Sequence, residues 1–248
     1  MMRQVERAKE IYGISVATAR AIIISPYLIL AGFFLLLWLP QTSDFTNRMT
    51  QPKSPVEWTM FVVHLIAGIY GLRLTWLAKK NGEPRHVYLF YLLFSLALLW
   101  VAGEINAWGQ KFFQYDTPAW FEEHNAMGLV TLHNLNGWDD HNHWLRLIFA
   151  LGGFIGIAAQ RSSRWERISA PTILATWFGL IAFKCGLDIW VKDFPITSSY
   201  AWLLFNWVVN ISSKIVKVMV GLASLIFLWL NRRRLQRAWS SAPKARAF

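Results

Sequence analysis

The fold is decided by long apolar runs, of which the first, residues 21–39, reads AIIISPYLILAGFFLLLWL. This run has no charged side chain, and a membrane-spanning helix needs about 20 mostly apolar residues. Four further runs meet or approach this standard, and a sixth lies within residues 199–230. The predicted spans are 21–39, 58–78, 87–103, 145–160, 170–191 and 211–230. We therefore predict an all-helical polytopic membrane bundle of about six spans that forms one integral membrane domain over residues 1–248.

Composition agrees with this class and excludes several others. The chain is 55% hydrophobic and only 16% charged, whereas a soluble domain carries about 25% charged residues. It is also tryptophan-rich, with 15 Trp. Cys185 is the only cysteine, which excludes a disulfide framework and a cysteine-based zinc or iron–sulfur centre. The motifs of nucleotide-binding loops, serine hydrolases and helical zinc proteases are missing from the sequence.

The last apolar run is too long for a simple span. Residues 199–230 would extend about 48 Å as a helix, against a hydrocarbon core of about 30 Å. The polar stretch 210–214 is the predicted break. It would separate an interfacial or re-entrant segment near 199–210 from the sixth span.

The distribution of basic residues predicts the orientation. Segments 1–20, 79–86, 160–169 and 231–248 together carry 16 Lys and Arg, whereas the alternating segments 40–57, 104–144 and 192–198 carry four. The positive-inside rule then places both termini in the cytoplasm and the 104–144 loop outside. The basic residues behind the formal net charge of +11 thus lie mainly in the segments predicted to be cytoplasmic, where they would anchor the protein beside anionic lipid. Membrane lipids are the expected partners, and nucleic acid is not.

The external loop, residues 104–144, is rich in reactive and aromatic side chains. It holds six of the 14 acidic residues and four of the six histidines, together with eight Phe, Tyr and Trp residues. This aromatic content suits the headgroup region of a membrane or the surface of a protein partner. Thr117-Pro118 is typical of a helix start, so we expect a short interfacial helix from about Pro118 to Met127.

Several motifs of this loop occur in a recognisable order. Glu104 is followed by Trp108-Gly109-Gln110, then by Thr117-Pro118 and Asn125, and finally by Leu132-His133-Asn134. This order resembles a family of uncharacterised bacterial polytopic inner-membrane proteins, in which a span ends in Glu and Trp-Gly-Gln and a later Leu-His-Asn follows. The resemblance covers residues 104–134 and implies a bacterial inner-membrane location without implying a reaction. Where that family has a second carboxylate before Leu-His-Asn, this chain has Met127-Gly128-Leu129.

Polar side chains inside the spans are a second group of candidates. Placing an ionisable residue within a membrane costs free energy, so such residues are often functional. With the predicted orientation these candidates fall in the outer half of the bilayer, beside the loop, whereas Arg73 lies toward the inner end of the second span. Lys184 and Asp188, four residues apart, are equally able to form a structural pair. The predicted substrate-binding residues are His64, Arg146, Lys184, Asp188, Asn210 and Lys214, with Lys217 close by.

Three functions fit these residues. The first is an enzyme acting on a lipid or lipid-linked substrate, with Glu104 and His133 as an acid–base pair and Gln110 and Asn134 beside them. In a metal-dependent version, His133, Asp140, His141 and His143 bind a divalent ion such as zinc. The second is a transporter of an anionic solute or lipid, for which a broken helix would be typical. The third is a non-catalytic subunit or assembly factor that binds a protein partner through its aromatic outer surface.

Overall fold

The structure is a computed structural model that describes residues 1–51, 53–136, 142–193 and 200–241. These residues form α-helices, short 3-10 turns and connecting loops, and no strand occurs among them. The prediction of an all-helical polytopic bundle is confirmed. The α-helices of the described segments are α1 (Met2–Tyr12), α2 (Val16–Trp38), α3 (Ser43–Met49), α4 (Pro55–Lys80), α5 (Arg85–Ile105), α6 (Gln110–Phe113), α7 (Ala119–His124), α8 (Asn142–Ala158), α9 (Ala175–Asp193) and α10 (Tyr200–Ser241).

Six helical segments of the described chain are long and apolar enough to cross a membrane, as expected for a multi-pass membrane protein. They are Val16–Trp38, Pro55–Lys80, Arg85–Ile105, His143–Arg161, Glu166–Val191 and Trp207–Ser241. We call the end of the bundle that carries Glu104 and the start of α4 the loop face. The opposite end, where α1 packs against the C-terminal part of α10, is the terminal face.

The predicted break at residues 210–214 is absent, because α10 continues as one helix of 42 residues from Tyr200 to Ser241. The Ser212 hydroxyl is satisfied inside the helix by donating to the Val209 carbonyl at 3.0 Å. The single O–H of Ser213 has two acceptors within reach, the Val209 carbonyl at 3.2 Å and Asp188 Oδ1 at 3.1 Å. Lys184 of the neighbouring α9 also donates to Ser213 Oγ at 2.8 Å. Polar side chains that are satisfied within the helix and by an adjacent helix do not force a break. The prediction of a separate interfacial or re-entrant segment was therefore wrong.

Small residues allow α4 to pack closely against α5 and α10. A Cβ atom on Gly68 would lie 2.6 Å from Leu99 Cγ of α5, and one on Gly71 would lie 2.2 Å from Ser95 Oγ. On α10, a Cβ on Gly221 would lie 2.9 Å from the His64 ring. Close approach through small residues is a common form of helix packing in membranes. The contacts of Gly221 with His64 and of Leu228 with Gly71 also show that α4 and α10 run parallel.

Replacing Gly68 with isoleucine is expected to destabilise the bundle, because the new side chain would meet both the side chain and the backbone of Leu99. Overpacking of this kind costs about 1–3 kcal/mol, which corresponds to a melting temperature lowered by about 5 °C in detergent. The matched control is Gly152→Ile, since a Cβ at Gly152 meets nothing within 4 Å. Equal melting temperatures for the two variants would contradict the close α4–α5 contact.

Candidate site at the loop face

The loop that follows α5 is held by the carboxylate of Glu104. Glu104 Oε2 accepts hydrogen bonds from the backbone N–H groups of Leu132 and His133, at 2.8 and 3.0 Å, and contacts His133 Nδ1 at 2.9 Å. Its other oxygen, Oε1, accepts from Trp108 Nε1 at 2.8 Å. Glu104 is only 6% exposed, so this carboxylate joins the end of a span to a segment almost 30 residues later in the chain.

The hydrogen bonds assign the tautomer of His133. Glu104 Oε2 already accepts two backbone N–H groups, so it is an acceptor and His133 Nδ1 is the donor to it. A neutral imidazole that donates from Nδ1 carries its lone pair on Nε2. The His133 side chain is 28% exposed, against 8% for Glu104. The arrangement is a buried carboxylate that orients a more accessible imidazole, which is the geometry of a general base and its positioning residue.

A turn in the left-handed region brings Trp108 back to Glu104. Ala107, Trp108 and Gly109 have φ values of +49°, +52° and +96°. Two successive non-glycine residues in this region cost about 1–3 kcal/mol each and persist only where their surroundings hold them. Gly103 makes room for the turn, because a Cβ there would lie 2.9 Å from the Trp108 ring.

Gln110 organises the middle of the loop. Its Oε1 accepts from the Val130 backbone N–H at 2.9 Å, and its Nε2 donates to Thr117 Oγ1 at 2.6 Å. Thr117 in turn donates to the Gly128 carbonyl at 2.7 Å. Thr117 therefore does not cap a helix, and α7 is shorter than the predicted helix from Pro118 to Met127 because Gly128 and its neighbours are engaged in this loop network.

Asn125 and Thr131 hold the remainder of the loop. The buried Asn125 donates from Nδ2 to the Thr131 carbonyl at 2.7 Å and accepts from the Met127 backbone N–H at 2.9 Å. Asn134 Nδ2 donates to Thr131 Oγ1 at 2.9 Å. Of the four residues predicted for catalysis, the structure thus brings Glu104 and His133 into direct contact, whereas Gln110 and Asn134 bond to other atoms of the loop.

A second polar cluster joins three helices near the loop face. Asp188 of α9 accepts from Lys184 and from Ser213 Oγ of α10, the latter at 3.1 Å. Arg146 of α8 donates from Nη2 to Asp188 Oδ2 at 3.3 Å and from Nη1 to the Ser213 carbonyl at 3.1 Å. Three of the predicted substrate-binding residues, Arg146, Lys184 and Asp188, therefore share one cluster. It carries two cations against one carboxylate.

Lys214 and Lys217 add further positive charge to this end of the bundle. Both are half-buried, and within the described chain neither forms an ion pair. Because His64 is level with Gly221, Lys217 lies about 6 Å and Lys214 about 10 Å nearer the loop face than His64. The acidic residue at that level, Glu57, is already paired with Lys111 at 2.5 Å.

The two remaining predicted binding residues, His64 and Asn210, lie on α4 and α10. His64 is buried at the contact of α4 with α10, and its Nδ1 bonds the Met60 carbonyl at 2.7 Å. This contact gives His64 a structural place in the bundle. Asn210 lies on an exposed position of α10, one turn before Lys214.

The predicted metal site falls partly outside the described residues, since Asp140 and His141 belong to 137–141. His143 is buried at the start of α8, with its ring centroid 5.6 Å from that of Trp144. In the described ranges, which lack 137–141, no three His, Cys, Asp or Glu side chains are grouped so as to hold a metal ion. The metal site remains a prediction.

Two residues of the site were missed by sequence reasoning. Ser213 was counted only as part of a helix break, and Trp108 only as part of the signature, without a role for its indole N–H. The polar stretch 210–214 and the motif Trp108-Gly109-Gln110 were the available signals. Comparison with known proteins adds no assignment, because no family model, curated protein or solved structure matches this chain.

Proposed function

We propose that the protein is a bacterial inner-membrane enzyme that acts on a lipid or lipid-linked substrate at the outer leaflet. The observation that carries the proposal is the contact of 2.9 Å between Glu104 Oε2 and His133 Nδ1. In this mechanism His133 takes or gives the proton through Nε2, and Glu104 positions the ring and stabilises the imidazolium form. The imidazole sits on a loop that five or more internal hydrogen bonds hold in place, as preorganised catalytic groups require.

An anionic headgroup is the substrate chemistry that best fits the surroundings. Arg146, Lys184, Lys214 and Lys217 outnumber the carboxylates of Asp188 and Glu104, and uncompensated cations in the outer part of a span attract phosphate. Lys214 and Lys217 are within reach of the headgroup level by extending along α10. The proposed orientation, with both termini in the cytoplasm and the loop face outside, follows from the 16 to four distribution of basic residues.

A role as a non-catalytic subunit is the second candidate, and it is favoured by the aromatic surface of the loop. Phe113 is 81% and Trp120 54% exposed, which suits insertion into a partner or into the headgroup region. A transporter has less support, because the helix break that suggested one is absent from α10.

The enzyme proposal is tested by incubating the purified protein in liposomes of bacterial inner-membrane lipid and following every lipid species by mass spectrometry. We expect the wild type to convert at least one anionic species. His133→Gln removes the imidazole but keeps the backbone N–H that Glu104 accepts, so we expect it to fold normally and to lose activity by about 100-fold or more. The matched control is His124→Gln, on the exposed α7.

Two results would argue against the enzyme. Full conversion by His133→Gln would remove His133 from the chemistry, and a wild type that converts nothing while purifying with one fixed protein would favour the subunit. Metal analysis of the same samples tests the metal-dependent version separately, since zinc lost in His133→Gln and retained in His124→Gln would support it.

A further inference from the structure

The terminal face carries an unusual concentration of arginine without acidic partners. Arg232, Arg233, Arg234 and Arg237 lie within two turns near the end of α10. Among the described residues none of the four pairs with a carboxylate, whereas nearby Arg167 pairs with Glu83. Several like charges held together in this way repel each other and favour binding of an anion.

A pocket opens beside these arginines, between the end of α1 and the end of α10. Its volume is about 490 Å³, and it is lined by Tyr12, Arg233, Gln236, Arg237, Ser240 and Ser241. The lining combines two guanidinium groups with hydroxyl and amide groups and contains no carboxylate. A pocket of this size holds a small organic ligand, since ligand pockets are commonly about 300–1,000 Å³.

Arg233 is held rigidly at this pocket. Its Nε donates to the Tyr12 carbonyl at 2.9 Å and its Nη2 to the Gly13 carbonyl at 2.8 Å. Its guanidinium also lies 5.3 Å from the centroid of the Trp229 ring. These bonds neutralise the negative C-terminal end of α1 and use two of the five N–H groups of the side chain. Three N–H groups remain for a ligand on a guanidinium that is already fixed in position.

Arg237 completes the cationic side of the pocket. Gly13, with φ +62°, leaves room for it, because a Cβ there would lie 2.1 Å from Arg237 Nη1. In the described part of the chain the Arg237 guanidinium makes no hydrogen bond or ion pair. Ser240 and Ser241 donate to carbonyls of their own helix, at 2.9 and 3.0 Å. A hydroxyl exchanges such a bond for one to a ligand by rotating about χ1.

We propose that this pocket binds the phosphate group of a ligand, with Arg233 and Arg237 as the two guanidinium partners. Planar guanidinium groups bind phosphate oxygens in pairs of hydrogen bonds, and two of them match the non-bridging oxygens of a phosphate group, of which a monoester has three and a phospholipid diester two. The same chemistry is offered by the headgroup of an anionic phospholipid and by a soluble phosphate ester. The site is independent of the chemistry proposed at the loop face.

The test uses the full-length protein in an uncharged maltoside detergent. Binding of phosphatidylglycerol, with phosphatidylcholine as the zwitterionic, net-neutral reference lipid, is measured by native mass spectrometry, and binding of glycerol 3-phosphate by the rise in melting temperature. Arg237→Gln removes one guanidinium at an exposed position, and Ser240→Glu places a carboxylate in the pocket. Arg48→Gln, an exposed arginine of α3, is the matched control for the loss of charge.

We expect at least one probe to bind the wild type and Arg48→Gln equally, and to bind Arg237→Gln and Ser240→Glu at least tenfold more weakly. If that probe is phosphatidylglycerol alone, the ligand is a lipid headgroup, and if glycerol 3-phosphate also binds, the site takes soluble phosphate esters. The proposal is overturned if neither probe distinguishes Arg237→Gln from Arg48→Gln, or if Ser240→Glu binds as tightly as the wild type.

Discussion

Replacing Asp188 with alanine is expected to lower the melting temperature by about 10 °C. Asp188 is the carboxylate that Arg146, Lys184 and Ser213 share, and the side chains of all three charged residues are at most 11% exposed. Removing one member of a buried ion pair costs about 3–5 kcal/mol, because the remaining charges lose their compensation. The measurement is the heating transition of intrinsic tryptophan fluorescence in detergent.

A triple variant distinguishes the loss of hydrogen bonds from the effect of uncompensated charge. Replacing Arg146, Lys184 and Asp188 together with leucine removes all three charges, and substituting apolar side chains for a buried ion cluster is often neutral. We therefore expect the triple variant to melt well above Asp188→Ala. A triple variant as unstable as Asp188→Ala would show that the cluster stabilises the helices by its hydrogen bonds rather than through charge balance.

Replacing Glu104 with alanine is expected to release the loop that follows α5 while the spans stay folded. The substitution leaves two backbone N–H groups and the Trp108 indole N–H without their acceptor. A fully buried donor left unsatisfied costs about 1–3 kcal/mol, and these part-buried donors cost less. The strained turn at Ala107 and Trp108 then loses one of the contacts that hold it, the others being the Tyr115 hydroxyl and the Trp100 ring.

Limited proteolysis measures this opening directly. Lys111 is the only Lys or Arg in residues 104–144, so trypsin cleavage after it reports on this loop alone. We expect Glu104→Ala to be cut about 10- to 100-fold faster than the wild type, because cleavage follows the population of the open form. Glu122→Ala, in the exposed α7 of the same loop, is the matched control. Equal rates for Glu104→Ala and Glu122→Ala would show that the carboxylate does not hold the loop.

The helices themselves were largely predictable from the sequence. Apolar runs such as 21–39 are long enough only for spans, and the six candidate spans of the structure overlap the six predicted ones. The close contact of α4 with α5 at Gly68 and Gly71 was found in the structure. Where the sequence misled, it did so over polar residues: Ser212 and Ser213 suggested a break that the Val209 carbonyl and Lys184 make unnecessary.

Only some contacts of the candidate site could be predicted from patterns of neighbouring residues in the sequence. Lys184 and Asp188 could be paired from their spacing on one helix, but Arg146 and Ser213 join them from two other helices. Glu104 and His133 were predicted as an acid–base pair from their side-chain chemistry. The sequence could not show that they touch, because their contact depends on the path of the loop. Thr117 illustrates the opposite case, because its local sequence suggested a helix cap and its actual partner is the Gly128 carbonyl.

The sequence by itself determined that this chain is a helical membrane protein with about six spans, since hydrophobicity and length act locally and the bilayer sets the same requirement for every span. Only the tertiary structure decided which polar groups meet. A hydrogen bond or ion pair depends on distances of about 3 Å between residues far apart in the chain, and helix packing and loop path set those distances. The contact of Glu104 with His133 and the shared carboxylate of Asp188 are products of that packing.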